Sequence, residues 1–316
     1  MRNKIFLFMQ ILCLTAILTL AACSDNEENG TPKERDVYVA GGASGAVLWK
    51  NGVAQKLSET GSARSVFVSG NDVYVAGNTD DTPGPTLWKN GVAQQLSDGG
   101  RAYSVFVSGN DVYVAGYVSE DYEHIPTLWK NGVAQKFSSR GITYSVFVSG
   151  SNVYVAGGKY QDFQHSNYSV ATLWKNGVEQ NLSISVNRNS WAYSVFVAGS
   201  DVYVAGYSEV GAVLWKNGVA QKLADGGTAY SVFVSGSNVY VAGQLESGAV
   251  LWKNGVVQKL SGDGIARSVF VSGNDVYVAG RVEVDGGLYG IAVLWKNGVR
   301  QNLTDRSGSA YSVFVK

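Results

Sequence analysis

Three short segments recur in strict rotation along the 316-residue chain, and that recurrence constrains its fold more than any other feature. VYVAG begins at Val37, Val73, Val112, Val153, Val202, Val239 and Val276. LWKNG begins at Leu48, Leu87, Leu128, Leu173, Leu214, Leu251 and Leu294. SVFV begins at Ser65, Ser104, Ser145, Ser194, Ser231, Ser268 and Ser312, so each motif occurs seven times. A period of about forty residues marks supersecondary units that bury their faces only against their neighbours. Beyond the N-terminal leader no segment has helical periodicity, which excludes leucine-rich and helical repeats.

Each unit reads as four short strands, a to d. SVFV (a) and VYVA (b) are β-branched and aromatic runs joined by Gly-Asn or Gly-Ser, as at Gly70-Asn71 and Gly150-Ser151. LWK (c) and V-x-Q-x-L (d) are joined by Asn-Gly, as at Asn51-Gly52 and Asn90-Gly91, the strongest short hairpin signal. Strands a to c are apolar at nearly every position, which marks a sheet buried on both faces, whereas Gln55 and Lys56 make d a wet outer edge. The expected fold is therefore all-β: a seven-bladed β-propeller of four-stranded antiparallel blades. The repeats open with strand b at Val37 and end with strand a at Ser312, so the ring should close by pairing Ser312–Val315 beside Val37–Ala40.

Over residues 36–316 these motifs resemble those of bacterial, Bacteroidetes-type β-propeller lipoproteins, with kelch and WD-repeat proteins as more distant architectural relatives. The kelch double glycine and the Gly-His…Trp-Asp signature are both absent. The resemblance implies a propeller and leaves its ligand unspecified.

Residues 1–22 have a basic start (Arg2, Lys4), an apolar run and small residues before Cys23, the pattern of a secretory leader. Leu20-Ala21-Ala22-Cys23 resembles the bacterial lipobox, which implies a lipid on Cys23, a membrane as partner and an outer-membrane, surface-exposed address. Cys13 leaves with the leader, and the remaining chain then has no cysteine chemistry. Residues 23–35 are polar and charged and read as a flexible tether. The acidic cluster in it resembles a surface-export signal and equally suits a solvated spacer. Without Arg2 and Lys4, the 25 basic residues fall to 23 against 25 acidic ones, so no basic field exists to steer nucleic acid.

The a–b and c–d hairpins share one rim, the hairpin rim, and the b–c and d–a connections share the other, the variable rim. The hairpin rim repeats Asp or Asn before strand b and Lys before each Asn-Gly, which reads as turn chemistry and cross-strand pairing. The variable rim differs from unit to unit: 6, 9, 11, 15, 7, 7 and 13 residues separate VYVAG from LWKNG. Long loops are expected at Tyr117–Thr127, Gly158–Thr172 and Ser183–Tyr193. They bring Trp191, Tyr193, Tyr160, Phe163 and Tyr122, with His165 and Asp162 as polar handles, either to a sugar-stacking site or simply to packing of the loops. A second series precedes SVFV: Arg64, Tyr103, Tyr144, Tyr193, Tyr230, Arg267 and Tyr311. These side chains either ring the channel mouth or pack between blades.

No nucleophile elbow, phosphate loop or HExxH motif is present, and no catalytic residue, metal or cofactor is assigned. Three functions remain. The first is a surface-anchored, non-enzymatic binding propeller for a glycan or protein. The second is a polysaccharide-acting hydrolase or lyase, and the third a structural repeat lipoprotein.

Overall fold

A computed structural model describes residues 35–80, 83–137, 139–163, 166–182 and 189–316, without the side chains of residues 162, 163, 166, 167 and 285. The leader, Cys23 and the tether to residue 34 lie outside the described residues. So do His165 and the side chains of Asp162 and Phe163.

The repeats form seven four-stranded antiparallel sheets, each ordered a-b-c-d. Blade 1 takes Val37–Gly42, Ala46–Lys50 and Val53–Ser58 from the beginning of the propeller and Ser309–Val315 from its end. Blades 2 to 7 are continuous over 62–95, 101–136, 141–181, 191–222, 228–259 and 264–302. The closing register pairs Val37 with Val315, Val39 with Val313 and Ala40 with Ser312, as the order of the motifs predicts. Asp36 and Lys316 exchange backbone hydrogen bonds of 3.1 and 2.9 Å just beyond it.

Seven apolar cores lie between blades rather than inside any one of them. Tyr38, Ala40, Ala46 and Leu48 of blade 1 meet Ala63, Val66, Val68, Val75 and Trp88 of blade 2, and the same grouping recurs around the ring. Alternate residues of a strand serve opposite neighbours, so neither face is left for polar residues. The seven Trp of the LWKNG series are no more than 2 % exposed. Truncating so large a buried side chain to Ala typically costs about 3–5 kcal/mol. The Gly that ends VYVAG is set by this packing: a Cβ on Gly41 would stand 2.6 Å from Trp49 and 2.2 Å from the Ser309 carbonyl oxygen.

The hairpin rim is held by one polar network copied from blade to blade. In blade 1, Lys50 Nζ lies 2.8 Å from Asp36 Oδ2 and 5.4 Å from the centre of the Tyr38 ring. Asn51 Nδ2 donates to Asp36 Oδ1 at 2.9 Å, and the Val37 amide donates to Asn51 Oδ1 at 2.8 Å. Asn51 and Gly52 both have positive φ (50° and 81°), the backbone of a type I′ turn, which Asn tolerates and Gly favours. The Lys50 ammonium, and then the Asn51 amide, hold the Asp36 carboxyl below the usual carboxylate range. Blades 4 and 6 carry Asn152 and Asn238 in place of the Asp, and Asn176 and Asn254 donate to them at 2.8 Å.

Candidate functional site

Strand a lines the central channel, and a β-bulge in each copy determines what it shows there. Pairing with strand b shifts register between Ala63 and Ser65, and the same shift recurs in the other six blades. A bulge sets two residues of one strand against one of its partner, which re-aims side chains beside it. The motif serine accepts a hydrogen bond from the next blade: Val105 N donates to Ser65 Oγ at 3.1 Å and Val66 N to Ser312 Oγ at 3.2 Å, with the other five between them. Seven such bonds circle the channel. Beyond them toward the hairpin rim, Phe67, Phe106, Phe147, Phe196, Phe233, Phe270 and Phe314 form a closed ring with centroids 4.8–5.0 Å apart.

On the variable-rim side the bulged residues form a third ring, which encloses a pocket of about 250 Å³ lined by Arg64, Tyr103, Tyr144, Tyr193, Tyr230, Arg267 and Tyr311. The structure thus brings the whole pre-SVFV series together, and its members also pack on one another. Tyr103, Tyr144, Tyr193 and Tyr230 follow at centroid spacings of 5.0, 5.1 and 5.4 Å. The Arg64 guanidinium lies 4.1 Å from the Tyr311 ring centre, and that of Arg267 lies 5.3 Å from Tyr230 and 5.5 Å from Tyr311. Such stacking favours a cation without satisfying its N–H donors. The Nε atoms of Arg64 and Arg267 are buried and unpartnered. Burial, reinforced by neighbouring tyrosines, pushes the Tyr144 and Tyr193 phenols well above the ordinary tyrosine range. Tyr144 and Tyr193 therefore offer neutral hydroxyls beside the two guanidinium groups.

The expected long loops of blades 3 and 4 are hairpins. Strands Asp111–Glu120 and Glu123–Lys130 extend the sheet of blade 3 to a two-residue turn at Asp121 and Tyr122, both with positive φ (48° and 64°). In blade 4, residues Tyr154 to Phe163 of the strand Asn152–Phe163 pair with the whole of Ser166–Lys175. Trp191 likewise stands in a strand, Trp191–Ala198, opposite Tyr207. Continued ladder pairing satisfies backbone groups that a free loop would leave to water, and so overrides the loop reading.

The predicted aromatic cluster assembles only in part. Trp191 makes edge contacts with Tyr144 and Tyr160, both at 5.6 Å, and its ring lies where a Cβ on Gly158 would be, 2.5 Å away. It therefore braces the Tyr/Arg ring against the blade 4 hairpin while staying partly accessible. Tyr122 stands fully exposed at the turn and lines a cavity of about 270 Å³ with Glu123, His124, Arg140 and Tyr160. Burial, and then the Arg101 charge, lower the pKa of His124, whose ring sits 4.2 Å from that of Tyr117.

A larger cavity on this rim, about 430 Å³, opens elsewhere, across the shorter connections of blades 1 and 2 and the hairpin of blade 7. Arg64 and Tyr311 form its wall toward the mouth pocket, and Arg101, Arg281, Asn78 and Asp80 line the rest. The sequence expectation named none of these last four. Their signal is a pair of facing columns, seen by laying the repeats over one another. The residue before each Ala of strand a (Arg101, Trp191, Ile265) pairs with the residue after VYVAG (Tyr117, Tyr207, Arg281). Both columns vary between blades while their surroundings do not.

No protein-family model and no curated protein matches the chain. Among solved structures, it is similar to the extracellular domain of a candidate one-component system from B. thetaiotaomicron, at 12% identity and TM-score 0.50, covering 78% of this chain and 37% of that one. It is also similar to a puromycin-hydrolyzing peptidase of Mycobacterium tuberculosis, at 12% identity and TM-score 0.53, covering 82% and 49%. A third is the β-propeller domain of the trilobed protease from Pyrococcus furiosus, at 11% identity and TM-score 0.51, covering 82% and 86%. That domain is described as having an open velcro topology, whereas the ring here is closed by Ser309–Val315 on Val37–Gly42. At these identities the likeness shows the propeller fold alone. The chain spans 37% to 51% of the length of three larger proteins that it matches.

Proposed function

We propose that this protein is a non-enzymatic binding propeller, held at the cell surface through a lipid on Cys23, that takes a glycan or protein ligand on its variable rim. The observation that carries this reading is the Tyr/Arg pocket at the channel mouth, which opens among connections that differ from blade to blade. A concave site with apolar walls and a few aimed polar groups is what ligand recognition requires. The hairpin rim repeats one network, and a cavity of about 240 Å³ that opens there between blades 3 and 4 is lined mainly by residues of the repeat itself, among them Tyr113, Lys130, Gln135 and Asn176. Arg35, the first described residue, lies on the hairpin rim, where its Nη1 donates to the Ser272 carbonyl.

A glycan array probed with residues 36–316, run beside a turnover assay on every glycan retained, tests the binding reading. Retention without product formation supports it; release of oligosaccharide from a retained glycan replaces it with the hydrolase or lyase reading. For the anchor, Cys23→Ala should move the full chain from the membrane fraction to the soluble one. A variant that still sediments with membranes and incorporates palmitate would place the anchor elsewhere.

A further inference from the structure

We infer that the channel mouth recognises the carboxylate of an acidic saccharide residue, such as a uronic acid, through Arg64 and Arg267, with Arg101 and Arg281 placed for the next acidic residue along the chain. This rests on the reading of the variable rim as the binding face and names the substrate class of that face.

The chain as a whole is balanced, 25 basic residues against 25 acidic, yet four arginines gather at one mouth. Arg281 has a counter-ion, Glu283, at 3.2 Å. Arg64, Arg101 and Arg267 form no ion pair among the described residues. Asp80, the carboxylate lining the larger cavity, is already engaged: its Oδ2 accepts from the Gly61 amide at 3.1 Å and its Oδ1 from Asn78 Nδ2 at 3.3 Å. The Nε atoms of Arg64, Arg267 and Arg281 are all buried without an acceptor. A buried donor left unmade is costly, and a guanidinium carries five of them in a planar fork matched to a carboxylate or phosphate. The positive field also extends across the mouth: Arg101 and Arg64 partly offset the rise that burial imposes on the Tyr117 phenol.

The shape of the site selects among anions. Arg64 and Arg267 stand on either side of Tyr311 and share one pocket of about 250 Å³, room for a single six-membered ring. The rest of that wall is tyrosine, whose rings pack against sugar C–H faces while their neutral hydroxyls meet sugar hydroxyls. A compact ring carrying both hydroxyls and a carboxylate uses all of these groups; an isolated phosphate uses only the arginines. The adjoining cavity of about 430 Å³ shares Arg64 and Tyr311 with the pocket, so a chain can run from one into the other past Arg101. A ligand with a charge on successive residues is favoured over one with a single charge.

Titration calorimetry of residues 36–316 tests this with four probes: a tetramer of galacturonic acid, its neutral galactose counterpart, a glutamate-rich peptide and inorganic phosphate. The uronate tetramer should bind, and the neutral tetramer at least tenfold more weakly. Arg267→Gln and Arg64→Gln should each weaken uronate binding about tenfold or more, Arg101→Gln less, and Lys253→Ala on the hairpin rim not at all. Because Arg64 and Arg267 are part-buried, melting curves accompany each variant. Competition by salt on the parent protein gives a readout independent of folding, with uronate affinity falling steeply as salt rises. Equal affinity for both tetramers, binding confined to phosphate or to the peptide, or undiminished uronate binding in the folded Arg variants overturns the inference. A neutral glycan whose binding depends on Trp191 but not on the arginines would sink this inference alone, leaving the variable rim as the binding face. Loss of uronate binding in Lys253→Ala and not in the Arg variants would sink both.

Discussion

The two rims of the propeller are built from the same repeat, yet one is nearly uniform around the ring and the other varies from blade to blade. On the hairpin rim, five blades carry an Asp–Lys pair at 2.7–3.1 Å, and in all seven the amide of the first strand b valine donates to the turn asparagine. On the variable rim, two facing columns and three extended hairpins change from blade to blade. Repetition suits parts that every blade needs, namely turns, inter-blade serine bonds and tryptophan packing. For the departure from repetition on the variable rim we propose ligand recognition, since loops on a rigid scaffold are where binding residues concentrate.

The largest effect should come from the seam that both rims depend on. Deleting residues 312–316 removes Val313, Phe314 and Val315, opens the closing sheet and breaks the phenylalanine ring. Stability should fall by several kcal/mol, more than the roughly 3–5 kcal/mol typical of one large core truncation. A melting temperature equal to the parent's would mean that the ring does not need its clasp.

An intermediate effect separates the rims. Trp191→Ala should weaken glycan binding by about 2 kcal/mol, near the threshold of an interface hot spot, through the Tyr144 and Tyr160 that the indole braces. Calorimetry on the array's best ligand reads it. Affinity unchanged in a folded variant would remove Trp191 from the site.

The smallest effect is a pH dependence confined to the hairpin rim. The carboxyls of Asp36, Asp72, Asp111 and Asp201 are held low first by their lysines, and that of Asp275 first by Asn297. A carboxyl whose folded pKa is depressed contributes stability that is present above its unfolded value of about 3.9 and lost as pH falls through the folded one. Exposed pairs of this kind are weak, so the acid loss should be shallow. Asp111→Asn, which copies the natural arrangement of blades 4 and 6, should make it shallower still. Melting curves recorded between pH 5 and 2 decide this; a steeper acid loss in Asp111→Asn would contradict the assignment.

Much of this architecture was legible in the chain because its signals are local and repeated. Asn-Gly after LWK specifies a tight hairpin, continuous apolar runs specify two buried faces, and a first strand b with a last strand a specifies the closure. The bulge was not legible, since Tyr103-Ser104-Val105 reads as plain strand; only pairing with strand b shows that Tyr103 has no partner. Nor was the hairpin of blade 3, whose turn needs left-handed backbone at Asp121 and Tyr122, residues that carry no Gly signal. The seven residues that line the mouth pocket could be picked out of the sequence because each is adjacent to a fixed motif. Arg101 and Arg281 escaped because their significance is relational: each lines the larger cavity only through facing strands and neighbouring blades.

The division of labour between the rims is tested most directly by exchanging one for a blander copy of itself. In blade 4, replacing Gly158–Thr172 with the seven-residue connection Gln244–Val250 of blade 6 removes the longest of the b–c connections and leaves every hairpin-rim contact in place. The matched control is the double variant Lys175→Ala, Lys253→Ala, at the two hairpin-rim lysines whose turns lack an Asp. All three proteins are read on the same glycan array. The account predicts that the shortened protein melts close to the parent and loses its glycan signals, while the lysine variant keeps them; signals retained by the shortened protein and lost from the lysine variant would contradict it.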